Sequence, residues 1–100
     1  LLNKNAMANV TRYDLTIYGD SNGYQGFRAQ ISLADGLTHL GYIRFVDPGV
    51  AIPNDSMTGG IIYMHDSITM LVNIMGLLRN DVTKSFYFSL GHAFLTGSSD

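Results

Sequence analysis

Residues 66–80, Asp66-Ser67-Ile68-Thr69-Met70-Leu71-Val72-Asn73-Ile74-Met75-Gly76-Leu77-Leu78-Arg79-Asn80, are the one stretch of this chain patterned as a helix, and they carry more apolar surface than one face can use. At about 100° per residue, Ile68, Leu71, Val72, Met75 and Leu78 fall on one stripe, and Met70, Ile74 and Leu77 widen it. Thr69, Asn73, Gly76 and Asn80 leave only a narrow polar wedge. A helix lying on a single sheet needs roughly 100° of apolar stripe, and this one offers about twice that. Something beyond its own sheet must cover it. The expectation is a homo-oligomer, dimer or tetramer, whose interface includes Met70, Leu71, Ile74, Leu77 and Leu78. Asp66 or Ser67 supplies the side chain that starts the helix by accepting from free backbone N–H groups.

The rest of the chain reads as strands. Val10 to Tyr18 alternates, with Tyr13, Leu15 and Ile17 opposite Arg12, Asp14 and Thr16. Gly26 to Ala34 repeats the pattern, with Phe27, Ala29, Ile31 and Leu33 opposite Arg28, Gln30 and Ser32. His39 to Val46, Gly60 to His65, Ser85 to Ser89 and Ala93 to Thr96 follow. Such alternation defines half-buried strands with one face open. The fold expected is α+β: one domain over residues 1–100, an antiparallel sheet of five or six strands, and a single helix across one face. Residues 1–9 and 97–100 are expected to be flexible, and Met7 is a candidate true start.

Register follows from the same pattern. A three-residue loop Asp35-Gly36-Leu37 sets Phe27 against Phe45, Ala29 against Ile43, Arg28 against Arg44 and Gln30 against Tyr42. Asn22-Gly23 is a two-residue hairpin signal. Used as such, it would set Leu15 beside Gln30 and mix the faces, as any one-residue slip does. A five-residue loop Asp20 to Tyr24 sets Leu15 beside Ala29 and keeps the faces. Asp47 to Gly59 reads as one long loop opened by the turn Asp47-Pro48-Gly49.

Composition removes several function classes. Charged residues are 14% of the chain, against about 25% in an average soluble domain. That scarcity also fits a surface partly hidden by a second subunit. The net charge of −2 gives no strong pull on nucleic acid or anionic membrane. With no cysteine, disulfides and thiolate chemistry are excluded. No apolar run reaches the ~18 residues of a membrane span, and no signal peptide is visible, so a cytoplasmic protein without membrane contact is the expectation.

Three candidate sites remain. A pocket between helix and sheet lined by Tyr63, Leu71, Met75, Phe86 and Phe88 would suit a small apolar ligand, methionine being an adaptable lining residue. The open sheet face carries Arg12, Arg28, Tyr42 and Arg44, a possible stacking and phosphate-contacting platform for single-stranded nucleic acid, although Asp14 is expected to pair with Arg28 across the strands. Four strands followed by a helix resembles, in element order alone, the transcriptional-cofactor and Pur-type single-strand binders, which implies the same platform. Neither family's motifs occur here, so no residue roles carry over. Last, His39, His65 and His92 sit at strand ends, where Asp47, Asp55 or Asp66 would complete an acid/base or metal site, but none has ligand spacing. No metal or cofactor is expected. The leading expectation is a small non-enzymatic oligomeric module that binds a small molecule or a protein partner. A single-strand binder is second and a His/Asp enzyme third.

Overall fold

The structure, a computed structural model, describes residues 8–100. The elements are β1 (Ala8–Asn9), β2 (Arg12–Ile17), β3 (Ala29–Asp35), β4 (Thr38–Val46), β5 (Ser56–Thr58), β6 (Ile61–Ser67), α1 (Leu71–Asn80), β7 (Thr83–Ser89) and β8 (His92–Ser98). The fold is α+β with one helix, but it contains two sheets rather than one. Five strands run in the order β2-β3-β4-β6-β5, and three in the order β1-β7-β8. The larger sheet is mixed: β4 and β6 are parallel, with Ile43 beside Met64 and Arg44 beside His65.

The parallel pair corrects the antiparallel expectation, and its cause is a strand hidden in the supposed long loop. Ser56–Thr58 forms β5 at the sheet edge and returns through Gly59-Gly60 into β6. Both glycines adopt positive φ, 57° and 80°, the conformation a two-residue hairpin requires. The chain from Asp47 to Asp55 therefore passes over the end of β6 to reach the edge, and β6 slots between β5 and β4. Gly41, beside Ile62 on β4, has no room for a side chain, because a Cβ there would overlap the Ile62 backbone carbonyl.

Both antiparallel registers are shifted by two residues from those expected, and both keep the faces intact. Leu15 pairs with Ile31 rather than Ala29. Its loop is longer than expected, because the tight turn is not at Asn22-Gly23 but at Gln25-Gly26, closed by reciprocal Tyr24–Phe27 backbone bonds of 2.8 and 2.9 Å. Between β3 and β4, Gly36-Leu37 makes a two-residue turn that pairs Ala34 with His39. Alone, that turn would invert the faces. A bulge beside Leu33 inserts Leu40 and restores them, so Ile31 meets Ile43 and Ala29 meets Phe45.

One core joins the layers. Ala29, Ile31, Leu33, Ile43, Phe45 and Ile62 of the large sheet meet Ile74 and Leu78 of α1 and Phe86 and Ala93 of the small sheet. The breadth of the helix is thus met by two sheets of its own chain. Ile74 and Leu78 are buried and Leu71, Met75 and Leu77 pack against the core, so the interface expected over Met70, Leu71, Ile74, Leu77 and Leu78 is largely occupied from within. Met70 and Val72 remain exposed. The helix begins later than its sequence pattern suggests, since β6 runs on to Ser67. The Ser67 hydroxyl then accepts from Thr69 N at 3.3 Å to start a short 3-10 turn, Ile68–Met70.

The sheets are tied together at both sides. Val10 N donates to Lys84 O of the small sheet and Thr11 N to Ala34 O of the large one, so β1 and β2 are one bent strand serving both. On the other side the Asp55 carboxylate accepts from His65 N of β6 at 2.8 Å and from Ala93 N of β8 at 3.0 Å. Of the C-terminal stretch 97–100, expected to be flexible, Gly97 and Ser98 continue β8, with Ser98 paired opposite Thr83. Of the N-terminal stretch 1–9, residues 1–7 lie outside the described part.

Candidate ligand-binding face

Alternation along β2, β3, β4 and β6 sends Ala29, Ile31, Ile43 and Phe45 to the core, and Gln30, Ser32, Tyr42, Arg44, Tyr63 and His65 to the opposite face. Arg44 is its centre. The guanidinium carbon lies 4.9 Å from the Tyr42 ring centre, 5.0 Å from Tyr63 and 5.6 Å from Phe27. Its Nε donates to Gln30 Oε1 at 2.8 Å. Among the described residues no carboxylate pairs with it. The rings tile the sheet around it: Tyr42 stacks on Tyr63 at 5.7 Å, Phe27 stacks on His65 at 5.7 Å, and His39 meets Tyr42 edge-on at 4.7 Å. These side chains are all half-buried. A cation over aromatic faces gains the attraction of the ring quadrupole while keeping donors free for an anion.

Tyr63 was expected beneath the helix. It lies on this other face instead, since β6 sends Ile62 and Met64 inward. The remaining members of the expected apolar pocket, Leu71, Met75, Phe86 and Phe88, belong to or pack on the central core, with Phe86 fully buried.

Of the open-face arginines, Arg28 is used structurally. Its Nε and Nη2 grip Asp47 at 2.8 and 2.9 Å, and its remaining donors reach the carbonyls of Tyr18 and Asp20 at 2.7 Å and Ser21 at 3.0 Å. This locks the β2–β3 connection to the start of the 47–55 loop. The hydrogen-bonded ion pair holds the Asp47 carboxylate below its ordinary value and raises that of Arg28. Asp14, expected to pair with Arg28, stands opposite Ser32. Arg44, expected opposite Arg28, stands opposite Gln30. Gln30 was expected on this open face; His65 was not, and Phe27, expected on the core side opposite Phe45, lies here instead because the regular alternation of β3 begins only at Ala29. The signal available was that β6, once recognised as parallel to β4, must carry Tyr63 and His65 beside Tyr42 and Arg44.

The histidines do not converge. His65 lies beside Asp55, Nδ1 to Oδ1 3.9 Å, but that carboxylate is committed to backbone N–H groups. His39 sits five positions along β4 from Arg44, the partner of His65, about 16 Å at roughly 3.3 Å per residue. His92 is exposed. Among the described residues no group of three or more His, Asp or Glu is placed to hold a metal.

Burial keeps the His65 imidazole below its ordinary 6.5. The Asp55 charge and the Asn54 backbone oppose this, and Arg44 reinforces it. The folded chain therefore takes up this proton at lower pH than the unfolded chain does. Stability is full above 6.5 and is lost as pH falls through 6.5 toward the folded value. In urea unfolding at pH 7.5 and 5.5, His65→Gln is expected to lose less stability on acidification than the parent. An equal loss would place the titration elsewhere.

The sequence matches no protein-family model, and no curated protein or solved structure is detectably similar to it. No helix among the described residues is long and apolar enough to cross a membrane.

Proposed function

We propose that this chain is a non-enzymatic binding module whose ligand is a small planar anion, an aromatic carboxylate or phosphate, held on the open face of the large sheet. The observation that carries the reading is Arg44: a guanidinium with no carboxylate partner among the described residues, framed by Phe27, Tyr42 and Tyr63. An incoming ring would stack on the tyrosines while its anionic group took the Arg44 donors not used by Gln30. This departs from an apolar ligand beneath the helix, where Phe86, Ile74 and Leu78 are already core.

A single-stranded nucleic acid fits less well. Such a strand needs a track of cations along its backbone, and Arg28 is consumed by Asp47. An enzyme fits least, since among the described residues the carboxylate beside His65, Asp55, is committed to backbone N–H groups.

The test is a titration of isotope-labelled protein with benzoate and with adenosine 5′-monophosphate, followed by amide and Arg Nε shifts. Saturable shifts at Arg44, Tyr42 and Tyr63 are expected, reduced at least tenfold in affinity by Arg44→Gln. No saturable shift with either probe would remove the proposal. A response only to an oligo-dT strand, falling steeply with salt, would move the reading to single-strand binding.

A further inference from the structure

β2 is the outermost strand of the large sheet, and among the described residues nothing pairs with its outer edge. Five of its six residues are exposed, including Leu15 at 37% and Ile17 at 61%. Unpaired edges of this length are normally blunted by proline, lysine or a bulge. β2 has no proline, lysine or bulge, since its sequence is Arg-Tyr-Asp-Leu-Thr-Ile and its pairing with β3 is unbroken; its two charges, Arg12 and Asp14, both lie on the face opposite Leu15 and Ile17.

The direction of its free hydrogen-bonding groups is fixed. Tyr18 N donates to Arg28 O at 2.9 Å, continuing the β2–β3 ladder. In an antiparallel ladder hydrogen-bonded and non-bonded pairs alternate. Arg12, Asp14, Thr16 and Tyr18 thus turn their backbone groups toward β3. Tyr13, Leu15 and Ile17 turn theirs outward, and these same residues carry the core-side apolar row past the edge.

We infer that β2 pairs antiparallel with β2 of a second copy of this chain, about a two-fold axis at Leu15. In that register Leu15 faces Leu15 of the second copy and Tyr13 faces Ile17. All three outward backbone units are then matched, and the exposed apolar row meets its own image, as an isologous interface requires. On the other face Asp14 meets Thr16, and Arg12 meets Tyr18. Arg12 has no ion-pair partner among the described residues, and Tyr18 already packs on Tyr24 at 5.3 Å, so the second copy offers its guanidinium an aromatic surface. Neighbouring registers are worse. A slip one way sets Asp14 against Asp14, like charges face to face. A slip the other way sets Tyr13 against Gly19, beyond the strand. The inference rests on the edge and is independent of the ligand proposed for Arg44.

Light scattering on the whole chain is expected to give twice the mass of one chain, falling to one with Leu15→Lys while circular dichroism stays unchanged. If Leu15→Lys fails to fold, cross-linking decides alone, because the chain has no cysteine. Across the two-fold, Leu15→Cys places its Cα atoms about 5.5 Å apart, within disulfide reach. It is expected to form a covalent dimer under mild oxidation, and Asp14→Cys, offset diagonally, is expected to form little. A monomeric parent overturns the proposal. So does a dimer that cross-links faster through Asp14→Cys than through Leu15→Cys.

Discussion

Replacing Phe86 by alanine is expected to cost about 3–5 kcal/mol, the range for deleting a fully buried aromatic side chain. Phe86 is 0% exposed at the middle of β7, between β1 and β8, and it joins the central core. It is the largest side chain by which the small sheet enters that core. Leu95 and Phe88 are only partly buried and cannot replace the volume. Total stabilities of small domains are about 5–15 kcal/mol, so a loss of this size consumes much of the margin. Urea unfolding monitored by far-ultraviolet circular dichroism would measure it. A loss under about 1 kcal/mol would mean that the small sheet is held by its strand pairing rather than by this ring.

The second large effect is at Asp55. Its side chain, 18% exposed, accepts two backbone N–H groups from different sheets. Asp55→Ala strands both donors, each at roughly 1–3 kcal/mol when buried, so a loss of about 2–4 kcal/mol is expected after allowing for partial exposure. Asp55→Asn keeps one acceptor oxygen and should lose less. The readout that separates this role from general destabilisation is amide exchange. The His65 and Ala93 amides should lose protection first in Asp55→Asn, ahead of the central β3–β4 ladder. Uniform loss across the molecule would argue against a local tie.

Much of this architecture was legible because periodicity survives register errors of two residues. The apolar partners of β3 and β4 were displaced along the strands, yet Ile31, Ile43 and Phe45 still faced inward. The helix was legible for the same reason, with Ile74 and Leu78 on its buried side. A second sheet of the same chain covers part of the helix's excess apolar surface, through Phe86 and Ala93, and leaves Met70 and Val72 exposed. What stayed hidden was short or non-local. β5 has three residues, too few to display a period, and without it the direction of β6 could not be deduced. Gly59-Gly60 carried the hint. Tyr42 and Arg44 lie side by side on the open face, where the alternation of β4 set them. The Arg28 pairing stayed hidden because Asp47, one residue past the end of the neighbouring strand β4, looked like the start of an independent loop.

The bent strand formed by β1 and β2 bears on how the chain acquires its shape. β2, β3 and β4 are consecutive and can zip together soon after they leave the ribosome. β1 must wait for β7, near the opposite end of the sequence, before Val10 N finds Lys84 O. Until then the inward faces of β3 and β4 lack the cover of Phe86 and Ala93. Non-local pairing of this kind slows folding and prolongs exposure of apolar surface. The vulnerable species is a half-made meander presenting Ile31, Ile43 and Phe45 to water, and synthesis paused before residue 83 would lengthen its life.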